Sequence, residues 1–130
     1  MTMNLSILDM ASALAGHAAD RQRVIAGNVA NADTPGFRAR DLPDFATLYR
    51  ADAGFALRAT RPGHLAMPAG ASAQAMIEAN VMGAESPNGN TVSLEDQMIR
   101  AAQARQQHDL ALGVFANSLS ILRSSIGRAR

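Results

Sequence analysis

The sequence has no cysteine and no lysine. Without cysteine there is no disulfide, no thiolate nucleophile and no Cys-based metal site. The compartment stays open, because an exported protein need not use disulfides. Aromatic residues make up only 4% of the chain, while 48% is apolar and much of that is alanine. Such a composition fills close helix contacts and builds a thin core. A dominant charge is also missing: 12 basic residues stand against 11 acidic ones, for a net charge of +1. Strong attraction to nucleic acid or to anionic lipid is not expected. Every basic side chain except histidine is arginine, which reads as compositional bias rather than bidentate recognition.

Long apolar runs are scarce as well. No stretch approaches the roughly 20 apolar residues needed to span a bilayer, so a membrane-spanning segment is not expected. The N-terminus is a poor secretory signal: no basic residue precedes Arg21, and Asp9 interrupts the apolar run Leu5 to Met10. Ala11-Ser12-Ala13 resembles a cleavage site but lacks the regions that should precede it. Export, if it occurs, is expected without cleavage and by another route.

Catalytic constellations are lacking too. His17, His64 and His108 fall in three segments, and no pair has metal-ligand spacing. No glycine pattern matches a phosphate cradle, and there is no Gly-x-Ser-x-Gly elbow. Glu95 and Asp96 are neighbours that point in different directions on a helix. The seven methionines are scattered and read as gap-fillers in interfaces. No enzyme activity, cofactor, metal or small-molecule substrate is expected.

What the sequence does contain is helical periodicity at both ends. Leu94, Met98, Ala101, Arg105, His108, Leu112, Phe115, Leu119, Leu122 and Ile126 follow at steps of four and three. So narrow a seam suits one or two partner helices rather than a broad core. At about 1.5 Å per residue the helix is roughly 50 Å long. Near the other end, Leu8, Ala11, Ala15, Ala18, Gln22, Ile25 and Val29 keep the same spacing. Its alanines allow a partner backbone to come close. The 130 residues suffice for one domain, divided into an N-terminal helix over 1–34, a middle segment over 35–92 and a C-terminal helix over 93–130. The fold expected is mainly α, with the two long helices paired as an antiparallel coiled-coil hairpin.

Local signals punctuate this plan. Asn28-Val29-Ala30-Asn31-Ala32-Asp33-Thr34-Pro35-Gly36-Phe37 ends the first helix: Pro35 removes a donor, and Pro-Gly suits a type II turn. Asn31 suits the left-handed position at a helix end. A short helix is expected within 41–52, with Pro43 at its first position and Phe45, Leu48 and Tyr49 on one face. Phe55 to Thr60, and Ile77, Ala79 and Val81, suggest short strands in an otherwise irregular, β-containing middle. Ser86-Pro87-Asn88-Gly89-Asn90 is a strong turn signal, and Ser93 caps the final helix with Asp96 three residues on.

Three of these segments resemble one known family. Asn28 to Phe37, with Asn28, Asn31, Thr34, Pro35, Gly36 and Phe37 in place, is similar to the Asn-x-Ala-Asn-x-x-Thr-Pro-Gly-aromatic motif of the bacterial flagellar rod and hook proteins. Thr60-Arg61-Pro62-Gly63-His64-Leu65, with Thr60 and His64, resembles a stretch of the family's proximal-rod branch. Asn88-Gly89-Asn90-Thr91-Val92-Ser93-Leu94-Glu95, with Gly89, Asn90, Thr91 and Val92, resembles the opening of that branch's C-terminal helix. Ser93 stands where aspartate is common, Phe37 replaces the usual tyrosine, and 67–86 matches little.

The resemblance implies a structural subunit that self-assembles through its terminal helices into the basal-body rod. That rod crosses the periplasm and transmits torque. It implies export through the flagellar type III apparatus without cleavage. It also implies contacts with the other rod proteins, the small rod-base adaptor, and membrane-ring and export-gate proteins. The motif turn would fix the angle between the inner helix and the outer part of the subunit. Termini not yet covered by neighbours would be frayed before assembly. The rival readings are another rod member, and a helical-hairpin binding module or export chaperone.

Overall fold

The computed structural model describes residues 2–52, 77–79 and 85–127. Two long helices dominate it: α1 (Thr2–Ala30) and α3 (Leu94–Gly127). Between them lie β1 (Arg40–Asp41), the short α2 (Phe45–Asp52) and β2 (Ile77–Glu78). The long helices pack against each other and run antiparallel. Asn28, near the end of α1, meets Gln97 at the start of α3, and Ala11 and Ala15 share a pocket wall with Ala111 and Phe115. The mainly helical hairpin expected from the sequence is therefore present. The strand expected within Phe55–Thr60, and the motif residues Thr60 and His64, lie outside the described residues.

The seam between the helices is thin and small-residued. Ala11, Ala18 and Ile25 are its buried apolar residues on α1, and Ala104 and Ala111 are those on α3. Alanine on both sides lets the backbones approach. The seam register differs from the expectation by one heptad row on each helix. On α3 the inward row is Gln97, Ala104 and Ala111, whereas Leu94, Met98, Arg105, Leu112 and Ile126 are exposed. Ala101, His108, Leu119 and Leu122 are half-buried, and Phe115 lies at the rim. On α1 Asn28 points inward and Arg21 is partly covered, while Gln22 and Val29 are exposed and Leu8 and Ala15 are half-buried. The expectation followed apolarity alone. In the folded chain, the inward row is the one whose members Asn28, Gln97 and Arg21 hydrogen-bond across the elements.

Local chemistry explains the smaller elements. The α1 terminus tightens into successive turns: the Asn31 amide donates to Gly27 O and Asn28 O, and that of Ala32 to Val29 O. Asn31 is not left-handed, since no described non-glycine residue has positive φ. Its side-chain amide instead donates back to Gly27 O at 2.8 Å. α2 begins two residues later than expected, at Phe45. Asp44, not Pro43, supplies the carbonyl that accepts from Thr47 N and Leu48 N, and the Pro43 carbonyl accepts from His17 Nε2 at 2.9 Å. Phe45 stacks obliquely between His17 and Tyr49, at centroid distances of 5.8 and 5.4 Å, and docks α2 on the middle of α1. β1 and β2 pair antiparallel, Arg40 opposite Glu78 and Asp41 opposite Ile77. Of the alternating Ile77, Ala79 and Val81, the first lies in β2, the second bonds Ala39 O just beyond it, and the third lies outside the described residues.

An 18-residue window of α3 has a mean hydropathy of 1.3, enough by length and composition to cross a bilayer. The sequence reading, which found no stretch apolar enough, missed it; alanine and leucine around few charges raise the average. Only 6% of that window is buried within the chain.

Candidate functional site

At the end where α1 stops and α3 starts, the chain folds two turns onto each other. In the first, Pro35 and Gly36 are the central residues and the Phe37 amide donates to Thr34 O at 3.3 Å. Gly36 has φ of 70°, the value a type II turn demands at its third residue. In the second, the Gly89 amide donates to Ser86 O at 2.8 Å across Pro87 and Asn88. Gly89 also has positive φ, 79°. The Gly36 amide donates to Asn88 O at 2.9 Å, and the Thr91 amide to Phe37 O at 3.0 Å. The two glycines meet face to face: a Cβ on Gly89 would lie 3.5 Å from Gly36 Cα.

Asn90 is the hub of this knot. Its buried side-chain amide reaches Asn31 O, Ala32 O and Thr34 O at 3.0, 2.8 and 2.8 Å. Those carbonyls lie just past the end of α1, so Asn90 fastens the turns that follow α1 from the far end of the sequence. Its Oδ1 accepts from Val92 N at 2.7 Å, and Thr91 Oγ1 accepts from Ala39 N at 2.9 Å. Ser93 then caps α3: its carbonyl accepts from Gln97 N at 2.9 Å, and its hydroxyl oxygen from Asp96 N at 3.4 Å. The two described motifs, 28–37 and 88–95, are thus one structural unit. Thr34, Pro35 and Gly36 are exposed on it, while Asn28 and Asn90 are its buried anchors.

A second polar cluster lies just below. Asn28 donates to Gln97 Oε1 at 3.0 Å and to Arg40 O at 2.7 Å, and accepts from Arg40 N at 3.0 Å. It therefore ties α1 to α3 and to β1. Beside it, Arg21 grips Asp41 with both ends of its guanidinium, each at 2.9 Å. Arg100 donates through Nη1 to Asp41 Oδ2, the oxygen that Arg21 Nη2 also holds, and through Nε to Asp96 at 2.7 Å. Burial pushes the Asp41 carboxyl up, but the hydrogen bonds from Arg21, the Leu42 amide and Arg100 outweigh it and hold it below the usual carboxylate range. Burial pulls the Arg100 guanidinium down, and its bonds to Asp96 and Asp41 outweigh that and raise it. Sequence reading singled out neither Arg21, Asp41, Gln97 nor Arg100 as a site residue. One signal was available: Arg21 and Asn28 stand seven apart on the same helix row.

The third feature is apolar. Met98, Leu112 and Ile126, spaced for one flank of α3, are 72, 50 and 74% exposed. Leu110 and Ile121 add exposed apolar surface on the opposite flank. A pocket of about 180 Å³ opens at the hairpin edge between Ala11, Ser12 and Ala15 on one helix and Ala111, Leu112 and Phe115 on the other. Small side chains leave this space, which has the size of a single inserted side chain. Among the described residues, the arrangement as a whole sets the geometry of helices.

Comparison with known proteins agrees with this picture. The family model described as "Flagella basal body rod protein" matches residues 11–38, from the middle of α1 through the first turn. The chain is 32% identical over 109 residues to the flagellar basal body rod protein FlgB of Salmonella typhimurium, covering 78% of each chain. It is 31% identical over 109 residues to FlgB of Escherichia coli, again covering 78% of each. The FlgB of Agrobacterium fabrum is 30% identical over 116 residues, covering 82% of this chain and 81% of that one.

Proposed function

The chain belongs to the FlgB family of flagellar basal-body rod proteins, and from that premise we propose how its surfaces serve the rod. It is a structural subunit of the basal-body rod, not a catalyst. The observation that carries the reading is the bare apolar flank of α3. Met98, Leu112 and Ile126 stay at least half exposed in their own chain. At about 25 cal/mol per Å² of apolar area buried, a row this long gives a substantial drive for helix-to-helix assembly. The neighbours proposed are further copies of this subunit and the other rod proteins, seated along α3 and against the pocket at Ala11 and Phe115.

The finer placement proposed is the proximal end of the rod, next to the rod-base adaptor, the membrane ring and the export gate. Delivery would be through the flagellar type III apparatus, without cleavage. The high mean hydropathy of α3 then reflects surface held for protein neighbours, since α1 covers only the row of Gln97, Ala104 and Ala111. The turn unit at Thr34-Pro35-Gly36 would set the angle between the hairpin and the outer segment.

Electron microscopy of basal bodies from a strain lacking the gene, with and without the gene restored, tests this. Membrane rings without rods, and rods restored on complementation, are the expected result. Normal rods in the deletion strain would reject it in favour of a helical-hairpin binding module.

A further inference from the structure

Each long helix carries two competing seams. On α3 the two share Ala101, His108, Phe115 and Leu122. They differ in the remaining row: Gln97, Ala104, Ala111 and Ser118 in one, Met98, Arg105, Leu112, Leu119 and Ile126 in the other. Apolarity favours the second row, yet the folded chain buries the first, with Ala104 and Ala111 no more than 1% exposed. α1 makes the same choice, turning Asn28 inward in place of Val29. A packing that leaves methionine and leucine outside and buries glutamine and asparagine needs an opposing force.

Side-chain hydrogen bonds that join α3 to α1 and β1 supply it. Gln97 accepts from Asn28, and Arg100 bonds Asp41, which Arg21 holds from α1. Both contacts sit within the first two turns of α3, where a rotation would break them together. Gln97 Nε2 is buried and without a partner, so this residue is poorly chosen for stability alone. Buried polar pairs that cost stability and fix helix register are known from coiled coils.

We infer that Gln97 and Arg100 form a register key that holds α3 turned by roughly 50° from the packing its apolar residues favour, half of the ~100° between successive helical residues. The key keeps the hairpin from burying its own apolar row and so leaves that row outward. This inference concerns the isolated chain and stands apart from the rod assignment.

The test uses the absence of cysteine, because a single introduced thiol reports alone. Ala111→Cys and Leu112→Cys are placed separately in three full-length chains, at concentrations where each sediments as a monomer, and thiol labelling rates are measured. The first chain is otherwise native. The second carries Gln97→Leu and Arg100→Leu, which release α3 while Asn28 keeps Arg40 and Asp41 keeps Arg21. The third adds Met98→Gln and Leu119→Gln to remove the competing row. Position 112 should label at least tenfold faster than 111 in the first chain, slower in the second, and faster again in the third. Native order in the second chain would overturn the key and assign register to alanine packing. Fast labelling at both positions with loss of the far-ultraviolet helical signal would also overturn it, because the contacts would then hold the fold rather than select a register. Reversal that persists in the third chain would show that the apolar row is not the competitor.

Discussion

The Asn28 side-chain amide donates to Gln97 Oε1 at 3.0 Å with both residues buried, which fastens the last turn of α1 to the first turn of α3. The two partners are not equivalent. Asn28 also holds both backbone groups of Arg40, whereas Gln97 leaves its own Nε2 unbonded. Asn28→Ala should therefore destabilise the monomer by about 2–3 kcal/mol, since several buried groups lose their partners at once. Gln97→Leu should cost less than about 1 kcal/mol, because Asn28 keeps the Arg40 carbonyl. Urea unfolding followed by circular dichroism measures both, and equal losses would contradict the asymmetry.

Asp41 gives the fold an acid limb. Its carboxyl is held below the usual range in the folded state, while in the unfolded chain it titrates near the ordinary value of about 3.9. The folded state thus binds fewer protons than the unfolded one in acid. Its contribution is complete above the unfolded-state value and is lost as pH falls through the folded-state value. Stability should climb with pH across that window and then level off. Asp41→Asn should flatten this limb and lower stability at neutral pH by about 3 kcal/mol, as expected when one partner of a buried ion pair is removed. A pH series of unfolding midpoints for both chains decides it; an unchanged acid limb in the variant would assign it to other carboxylates.

These contacts also mark what the sequence makes legible. Helix existence, the stop at Pro35, the cap at Ser93 and the positive-φ glycine at 36 follow from local chemistry and from spacing. The antiparallel pairing followed because each seam needed a cover. The rotation of that seam did not. The bonds inferred to set it run from Gln97 to Asn28, 69 positions away, and from Arg100 to Asp41, which lies on a two-residue strand with no periodic signature. Apolarity summed along one helix cannot register bonds made to residues on other elements. Arg21 and Asn28 were visible as a polar row, but nothing local showed that Asp41 and Gln97 would receive them.

Gly36 and Gly89 carry the turn unit. Among the described residues, none beyond its chain neighbours comes within 4 Å of the Cβ position at Gly36, so backbone conformation is the constraint there. With φ of 70°, Gly36→Val should cost about 1–3 kcal/mol as a β-branched residue forced into the left-handed region. Gly36→Asn, which tolerates that region, should cost clearly less. In cells the valine chain should still be exported yet fail to give rods, because the angle beyond the hairpin is altered. Immunoblots of exported subunit beside electron microscopy of basal bodies separate these effects. Normal rods with valine at 36 would remove the turn from the assembly mechanism.

The apolar flank of α3 should matter to the assembly and not to the monomer. Met98 and Leu112 are at least half exposed, so Met98→Gln with Leu112→Gln should shift monomer stability by no more than about 0.5 kcal/mol, the usual range for surface changes. The same pair removes apolar area that a neighbouring helix would cover, worth about 1.5–3 kcal/mol for each side chain fully buried. Repeated at every subunit contact, that loss should abolish rods and swimming while unfolding curves of the purified chain overlay the native ones. Leu112→Met, which keeps the apolar surface, should swim normally. A doubly substituted chain that builds motile flagella would show that neighbours do not use this flank. One that unfolds more easily would place these residues inside the subunit's own packing.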